Sequence, residues 1–319
     1  MRKKIILGIA LFLTQKNYAA INKNAYYNLN IKNNHVVIAI IDTGADVKHN
    51  DLKKFIWINS GESGVDALGQ DKATNLIDDD DNGFVDDLHG WNFVDNNNDV
   101  SDLHGHGTHI TGIIKKEFQK HSANFTSEAS ARLMILKYYD PNASDTKNIL
   151  NTTKALNYAV KMQARIINYS GGGGSRYAPE YQAIAEAAKK NTLLVAAAGN
   201  NNSNTDNQQY YPANYALDNI ISVAATDNSG ELESFSNYGH NSIDIAAPGK
   251  LIYSTLPKNT YGIMSGTSQA TAYVTGVAAS LLIVKTALKP KEILVDLLTR
   301  CKFNKSLKGK TKFQLAMVQ

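Results

Sequence analysis

A single cysteine, Cys301, stands among 319 residues. That excludes an internal disulfide, a C-x-x-C redox pair and a cysteine-built zinc site. Proline is scarce, with 6 residues, and no Pro- or Ser-rich linker divides the chain. No period of roughly 20–50 residues recurs, which excludes repeat architectures. An excess of one charge is missing as well. Lys plus Arg total 33 against 29 for Asp plus Glu, and four of the cations (Arg2, Lys3, Lys4, Lys16) lie in the first twenty residues, which hold no acid. Without that stretch the balance is 29 against 29, so there is no electrostatic case for nucleic acid or an anionic membrane as partner. The apolar run Ile5 to Leu13 covers nine residues, where a membrane-spanning helix needs roughly 20. No other segment is long and apolar enough to cross a bilayer. What is present is material for a core: 43% hydrophobic and 19% charged residues, a balance that argues against disorder.

Arg2-Lys3-Lys4, the apolar run and the small residues Ala19 and Ala20 follow the charged, hydrophobic and cleavage parts of an export signal. Residues 1–20 are expected to be that signal, with export to the periplasm or the extracellular space, and residues 21–319 the working domain. Tyr18 sits where a small residue is preferred and leaves the cleavage position open. The alternative is a short N-terminal helix packed on the domain.

Farther along, short apolar or β-branched runs recur: His35 to Ile41, Leu133 to Tyr139, Ile166 to Ser170, Leu193 to Ala198 and Ile220 to Ala225. Strands covered on both faces look like this. Between them lie amphipathic stretches of helical period, Thr108 to Phe118, Thr146 to Met162 and Glu180 to Lys190. Two more, Ser268 to Val284 and Lys291 to Arg300, close the chain, with Pro290 opening the second. The expected fold is α/β, three-layer, a mostly parallel sheet flanked by helices. Asparagine clusters such as Asn96 to Asn98 and Asn200 to Asn202 mark solvated loops between the elements.

Three motifs carry chemistry. The first strand ends in Asp42-Thr43-Gly44, and strand C-termini are where open α/β sheets place their sites. His106-Gly107-Thr108-His109 opens a helix. Ser265-Gly266-Thr267-Ser268 turns into an apolar helix, whose positive dipole end favours negative charge near Ser268. A hydroxyl nucleophile, an imidazole base and a carboxylate that fixes the imidazole's tautomer are what serine acyl transfer requires. Ser268, His106 and Asp42 supply them in the chain order Asp, His, Ser, which is that of subtilisin rather than of chymotrypsin or the α/β-hydrolases.

From residue 35 to 319 the chain resembles the subtilases, the subtilisin-like serine peptidases, through Ile40-Ile41-Asp42-Thr43-Gly44, His106-Gly107-Thr108-His109 and Gly266-Thr267-Ser268. The resemblance implies a monomeric serine endopeptidase acting on polypeptides through an acyl-enzyme. It aligns Ala196-Ala197-Ala198-Gly199-Asn200 with the family's oxyanion segment, making Asn200 the side-chain donor beside the Ser268 N–H. Ser170, Gly171 and Gly172 would then pair with the substrate backbone as an added strand. Together with Ala197, Ala198 and Gly199 they would wall the pocket for the residue before the scissile bond. Where the family usually shows Met-Ala-Ser-Pro-His after the nucleophile, this chain has Gln269-Ala270-Thr271-Ala272-Tyr273. Only residues 21–34 separate the export signal from the first strand, so folding is expected to proceed without a long pro-segment or with a helper supplied separately.

An acidic insertion fills the region near 60–100. Asp78, Asp80 and Asn82 take the first, third and fifth positions of a calcium loop, with Gly83 at its turn. Phe84 would add its carbonyl, and Asp86 or Asp87 would complete the shell. His89 replaces the terminal bidentate Glu, so the loop is no EF-hand. Structural calcium is the expectation, and a solvated acidic loop is the alternative. The family's usual calcium loop is not recognisable in Lys115 to Ser127, although Asp51 matches one of its ligands.

Two rival readings stand. His104, His106 and His109 resemble the H-x-H-x-D-H zinc motif of metallo-β-lactamase-type hydrolases, with Thr108 in place of its aspartate. Alternatively, the fold is catalytically idle and used for binding. Under the peptidase reading His109 is a satisfied buried histidine and Cys301 a small buried hydrophobe.

Overall fold

The computed structural model describes residues 35–122 and 130–317. The expected export signal and residues 21–34 lie outside the described residues. Strand β1 (His35–Asp42) shows why apolar runs without alternation become central strands. Its Ile38 and Ile40 enter one core, while Ala39 and Ile41 enter another on the opposite face. The same division holds for β3 (Ser130–Lys137), β4 (Ile166–Tyr169), β5 (Leu193–Ala197) and β6 (Ile220–Thr226). Three short strands, β2 (Gly90–Asn92), β10 (Lys302–Phe303) and β11 (Leu315–Ala316), extend the sheet at its edges, and β7 (Ile245–Pro248) joins β6.

The nine-stranded order is β10-β11-β7-β6-β5-β4-β1-β3-β2. All of its pairings are parallel except β10 with β11. Leaving β1, the chain builds β2 and β3 on one side, then crosses to β4 on the other. The switch point therefore lies between β1 and β4, and the crevice beyond their carboxyl ends is where ligands bind in such sheets. Asp42 ends β1 at that crevice.

Helices α1 (His106–Ser122), α4 (Thr267–Val284) and α5 (Pro290–Thr299) cover one face; α2 (Asp145–Lys161) and α3 (Ala178–Lys189) cover the other. Ser144 caps α2 by accepting the Lys147 N–H at 3.3 Å, and Pro290 supplies the helix-ready φ that opens α5. The three-layer α/β fold is thus the one expected.

One sequence expectation is corrected. By length and composition α4 is apolar enough to cross a membrane, yet 94% of it is buried inside the fold. Its hydrophobicity runs all round because it lies between the sheet and α1, with no face left for solvent. At the crossing a Cβ on Gly276 would stand 2.6 Å from the Ile114 carbonyl oxygen, so only glycine allows the two backbones that close.

A separate antiparallel hairpin, β8 (Ile252–Leu256) with β9 (Thr260–Met264), leads into α4. It is clamped to α1: Ser254 Oγ donates to the His109 carbonyl and Thr255 Oγ1 to the Thr108 carbonyl, each at 2.8 Å. Cys301 is a half-buried thiol that burial pushes up to about 12, an unreactive group at neutral pH.

Candidate active site

Asp42, buried at the end of β1, places Oδ1 2.7 Å from His106 Nδ1. The same oxygen accepts the Thr43 N–H at 2.8 Å. His106 is the first residue of α1 and is half-buried. With Nδ1–H donated to the carboxylate, Nε2 is left as the proton acceptor. Burial works against the imidazolium, but the charge and hydrogen bond of Asp42, reinforced by the charge of Asp102, outweigh it and raise His106 above the ordinary histidine value.

The start of α1 is organised by Asp102, a buried residue that none of the sequence motifs includes. Its Oδ1 accepts from Thr43 Oγ1 (2.9 Å), His104 N–H (3.0 Å) and Gly105 N–H (2.8 Å). Its Oδ2 accepts from the Thr108 N–H (2.9 Å) and Thr108 Oγ1 (2.7 Å). An acid just ahead of a helix whose first N–H groups lack partners is the signal that could have found it. Thr43 also accepts the Gly107 N–H at 2.9 Å, which joins the strand end to the helix start. A Cβ at Gly107 would lie 2.1 Å from the Gly44 carbonyl oxygen.

Ser268, in the first turn of α4, is buried and donates its Oγ–H to the Ser170 carbonyl at 3.0 Å. Handing that proton to an imidazole requires rotation about χ1, an adjustment common between resting and substrate-bound sites. Asn168 holds this corner: its Nδ2 donates to Ser170 Oγ (3.0 Å) and its Oδ1 accepts from Thr275 Oγ1 in α4 (2.9 Å). Asn200 sits at the same helix start, where its Oδ1 accepts the Thr267 N–H (2.9 Å) and Thr267 Oγ1 (3.0 Å). Its Nδ2 has no acceptor among the described residues, and the residue as a whole is exposed.

Ser170, Gly171 and Gly172 continue β4 beyond the sheet, with Gly172 exposed. A Cβ on Gly171 would come within 2.1 Å of the Tyr138 hydroxyl oxygen. Ala197 ends the neighbouring strand β5, Ala198 and Gly199 follow it, and all three are buried. Asn237 Nδ2 donates to the Ala198 carbonyl at 2.8 Å, and the Gly199 N–H donates to Thr267 Oγ1 at 3.2 Å. The two expected wall segments therefore flank the start of α4.

The three histidines of the zinc alternative do not gather. His109 is fully buried and its Nε2–H donates to the carbonyls of Ile252 (3.0 Å) and Gly262 (3.3 Å). Burial lowers its affinity for a proton. The His104 and His106 ring centroids are 6.3 Å apart.

In the acidic insertion, oxygens of Glu62, Asp78 and Asp80 lie within 4.8 Å of one another. Asp78 also takes the Asn82 N–H (3.0 Å) and Gly83 N–H (2.6 Å), while Gly83 turns at φ 90°. Glu62 belongs to none of the expected ligands because it lies well upstream of the loop. It is fully buried; Oε1 accepts the Asp79 N–H at 2.8 Å, whereas Oε2 has no partner among the described residues. Burial pushes its carboxyl up to about 7, against the Asp79 hydrogen bond and with the charges of Asp87, Asp80 and Asp79 adding to it.

The other expected ligands are engaged with each other. Asn82 Oδ1 accepts the Phe84 N–H (2.8 Å) and Asn82 Nδ2 donates to Asp87 (2.9 Å). Asp87 is further satisfied by Asn59 Nδ2 (2.6 Å) and the Tyr158 hydroxyl. The Phe84 ring packs edge-on against Trp91, Phe93 and Tyr158. Asp51, matched to a different calcium site, accepts the Tyr261 hydroxyl at 3.0 Å.

Residues 33–309 match the subtilase family. Among relatives, subtilisin-like protease 2 of Plasmodium falciparum is 32% identical over 285 residues, covering 87% of this chain and 19% of its own length. Thermitase of Thermoactinomyces vulgaris is 38% identical over 244 residues, covering 76% of this chain and 74% of its own. This chain therefore spans about a fifth of the first of these relatives. Among solved structures, that of a cold-adapted subtilisin-like serine proteinase aligns with a TM-score of 0.65 and 26% identity, covering 92% of this chain and 91% of that one.

Proposed function

Since the chain belongs to the subtilase family, we propose that it is a serine endopeptidase that hydrolyses polypeptides through an acyl-enzyme. The observation that carries this is the 2.7 Å contact of Asp42 with His106 Nδ1, which leaves Nε2 free to act as base. Ser268 rotates from Ser170, gives its proton to Nε2 and attacks the scissile carbonyl. The imidazolium, stabilised by Asp42, then protonates the leaving amine, and water deacylates the enzyme by the reverse route. Asn200 Nδ2 and the Ser268 N–H receive the oxyanion. Thr267, by holding Asn200 Oδ1, aims that amide. Ser170 to Gly172 offer a strand edge to the substrate backbone.

Calcium in the acidic insertion would be held by Glu62, Asp78 and Asp80. The unpartnered, buried Glu62 Oε2 is what fits a cation there, since crowded carboxylates otherwise repel. Its role would be to stabilise the loop; no catalytic step passes through it. The remaining attributes are a monomeric working unit of residues 21–319 and export directed by residues 1–20. N-terminal sequencing of the protein recovered outside the cytoplasm checks the latter.

Labelling by a fluorophosphonate probe tests the central claim. Wild type labels at Ser268 and Ser268→Ala does not. A folded wild type that stays unlabelled at pH 8 would identify an idle fold and sink the proposal.

A further inference from the structure

The slot beside the nucleophile is bridged by an aromatic ring. Its walls are the ends of two parallel neighbours, Ser170 to Gly172 beyond β4 and Ala197 to Gly199 at and just beyond the end of β5. Ser268 Oγ rests on the Ser170 carbonyl at 3.0 Å, and Asn200, next after Gly199, holds Thr267. The slot therefore opens at the point of attack. An acyl group bound with its carbonyl at Ser268 and its oxygen toward Asn200 has its α-carbon over that opening, and its side chain enters between the walls.

Tyr210 stands there. A Cβ built on Gly172 would lie 2.5 Å from Tyr210 Cε1 and 3.0 Å from Cζ, and one on Gly199 would lie 3.1 Å from both Cδ2 and Cε2. Opposite edges of one ring thus meet opposite walls. The backbone that carries the ring is held firmly. Tyr210 N–H donates to Asn214 Oδ1 (3.1 Å), and the Asn214 N–H returns to the Tyr210 carbonyl (2.9 Å). The next residue, Tyr211, exchanges two backbone hydrogen bonds with Gly173, 2.7 and 2.9 Å long. The ring is half-buried, and walls of glycine in contact with it have no side chains that could retract to make room.

We propose that Tyr210 sets the specificity of this peptidase by filling the pocket for the residue on the acyl side of the scissile bond, so that only small side chains such as those of glycine and alanine are accepted there. This rests on the serine-endopeptidase reading. Long aliphatic or aromatic side chains would have to displace the ring or overpack the slot.

The test is a set of peptides differing only in the acyl-side residue (Gly, Ala, Leu, Phe), assayed on wild type, Tyr210→Gly and Tyr210→Phe. Wild-type kcat/KM for Ala should exceed that for Leu and Phe by about 10–200-fold, the discrimination a shaped apolar pocket can supply. Tyr210→Gly should erase most of that ratio through gains on Leu and Phe. Tyr210→Phe should keep the ranking, because ring volume rather than the hydroxyl closes the slot. A wild type that cleaves after Phe as well as after Ala overturns the proposal, and this profile decides the matter even if the glycine variant does not fold. An unchanged ratio in a Tyr210→Gly protein whose Ser268 still labels overturns it too. Failure of the underlying reading looks different: no labelling of wild-type Ser268 and no cleavage of any peptide in the set.

Discussion

Asp102 and Glu62 are both buried carboxylates, and they stand in opposite conditions. Asp102 receives five donors, four of them from His104, Gly105 and Thr108 close by in sequence. Both of its oxygens are taken up by protein donors, which tie Thr43 to the start of α1, with His106 on it. Among the described residues Glu62 receives one donor on Oε1 and none on Oε2, and it faces Asp78 and Asp80. Its charge can be satisfied only by something added, a proton or a cation. A buried acid surrounded by N–H groups is a finished structural part; a buried acid surrounded by acids is half of a site.

Removing each acid should separate the two conditions most clearly. Asp102→Ala leaves the helix-start donors and Thr43 without their acceptor, at a cost on the order of 3 kcal/mol, measurable by denaturant unfolding. His106 loses its support, so kcat should fall by about 10²-fold or more, since small misplacements of a catalytic group cost that much. Asp102→Asn, which keeps one acceptor oxygen, should recover part of both losses. Equal stability of Asp102→Ala and wild type would end the structural half of the contrast.

Glu62→Gln should act with the opposite sign in metal-free protein, raising stability by about 1 kcal/mol because it relieves a like-charge contact. It should also abolish the rise in Tm that millimolar calcium produces in wild type. Calcium that leaves the wild-type Tm unchanged would show Glu62 to be held by protonation alone.

Glu180 offers an intermediate case. It is buried and accepts the Tyr215 hydroxyl at 2.9 Å, and burial, only partly offset by that bond, pushes its carboxyl up to about 7. The folded protein therefore keeps a proton that the unfolded chain releases near pH 4.5, and stability falls as pH rises from about 4.5 to 7. Glu180→Gln should raise Tm at pH 8 and leave it unchanged near pH 4. A gain of equal size at both would exclude titration as its cause.

For activity the sign is set by the raised His106. The base must be neutral, so the acid limb of kcat/KM should lie above the ordinary histidine value of about 6.5. A limb below it would contradict the hold of Asp42 and Asp102. The smallest effect concerns Gln269, which is buried next to Ser268 in sequence where the family usually carries methionine. With no sulfur there to oxidise, activity should survive peroxide better than in relatives that have one, as a side-by-side inactivation time course would show.

Much of this molecule is legible before folding, and the reasons are local. Strands β1, β3, β4, β5 and β6 are buried on both faces, so they appear as unbroken apolar runs, and three motifs sit where such strands end or helices begin. The hairpin of β8 and β9 is not legible, because polar Ser254, Thr255 and Thr260 interrupt it and its outer face, with Tyr253 and Ile263, is exposed. β2, β10 and β11, at two or three residues each, are too short to leave a pattern. The acidic motif marks Asp78 and Asp80 but not Glu62, since a ligand spacing sees only one loop. Tyr210 is one aromatic in an asparagine-rich stretch, and nothing in its neighbours distinguishes it.

The layered α/β architecture, the order of its main elements and the positions of Asp42, His106 and Ser268 at one strand end and two helix starts were legible in the sequence alone. Each of these follows from residue type and position within a single segment. Folding alone reveals that Asp102 completes the helix start, that Glu62 joins the acids of another loop, that α4 is buried as a core helix, and that the Tyr210 ring lies between Gly172 and Gly199. These depend on which segments become neighbours, and burial, charge and available volume are properties of neighbours.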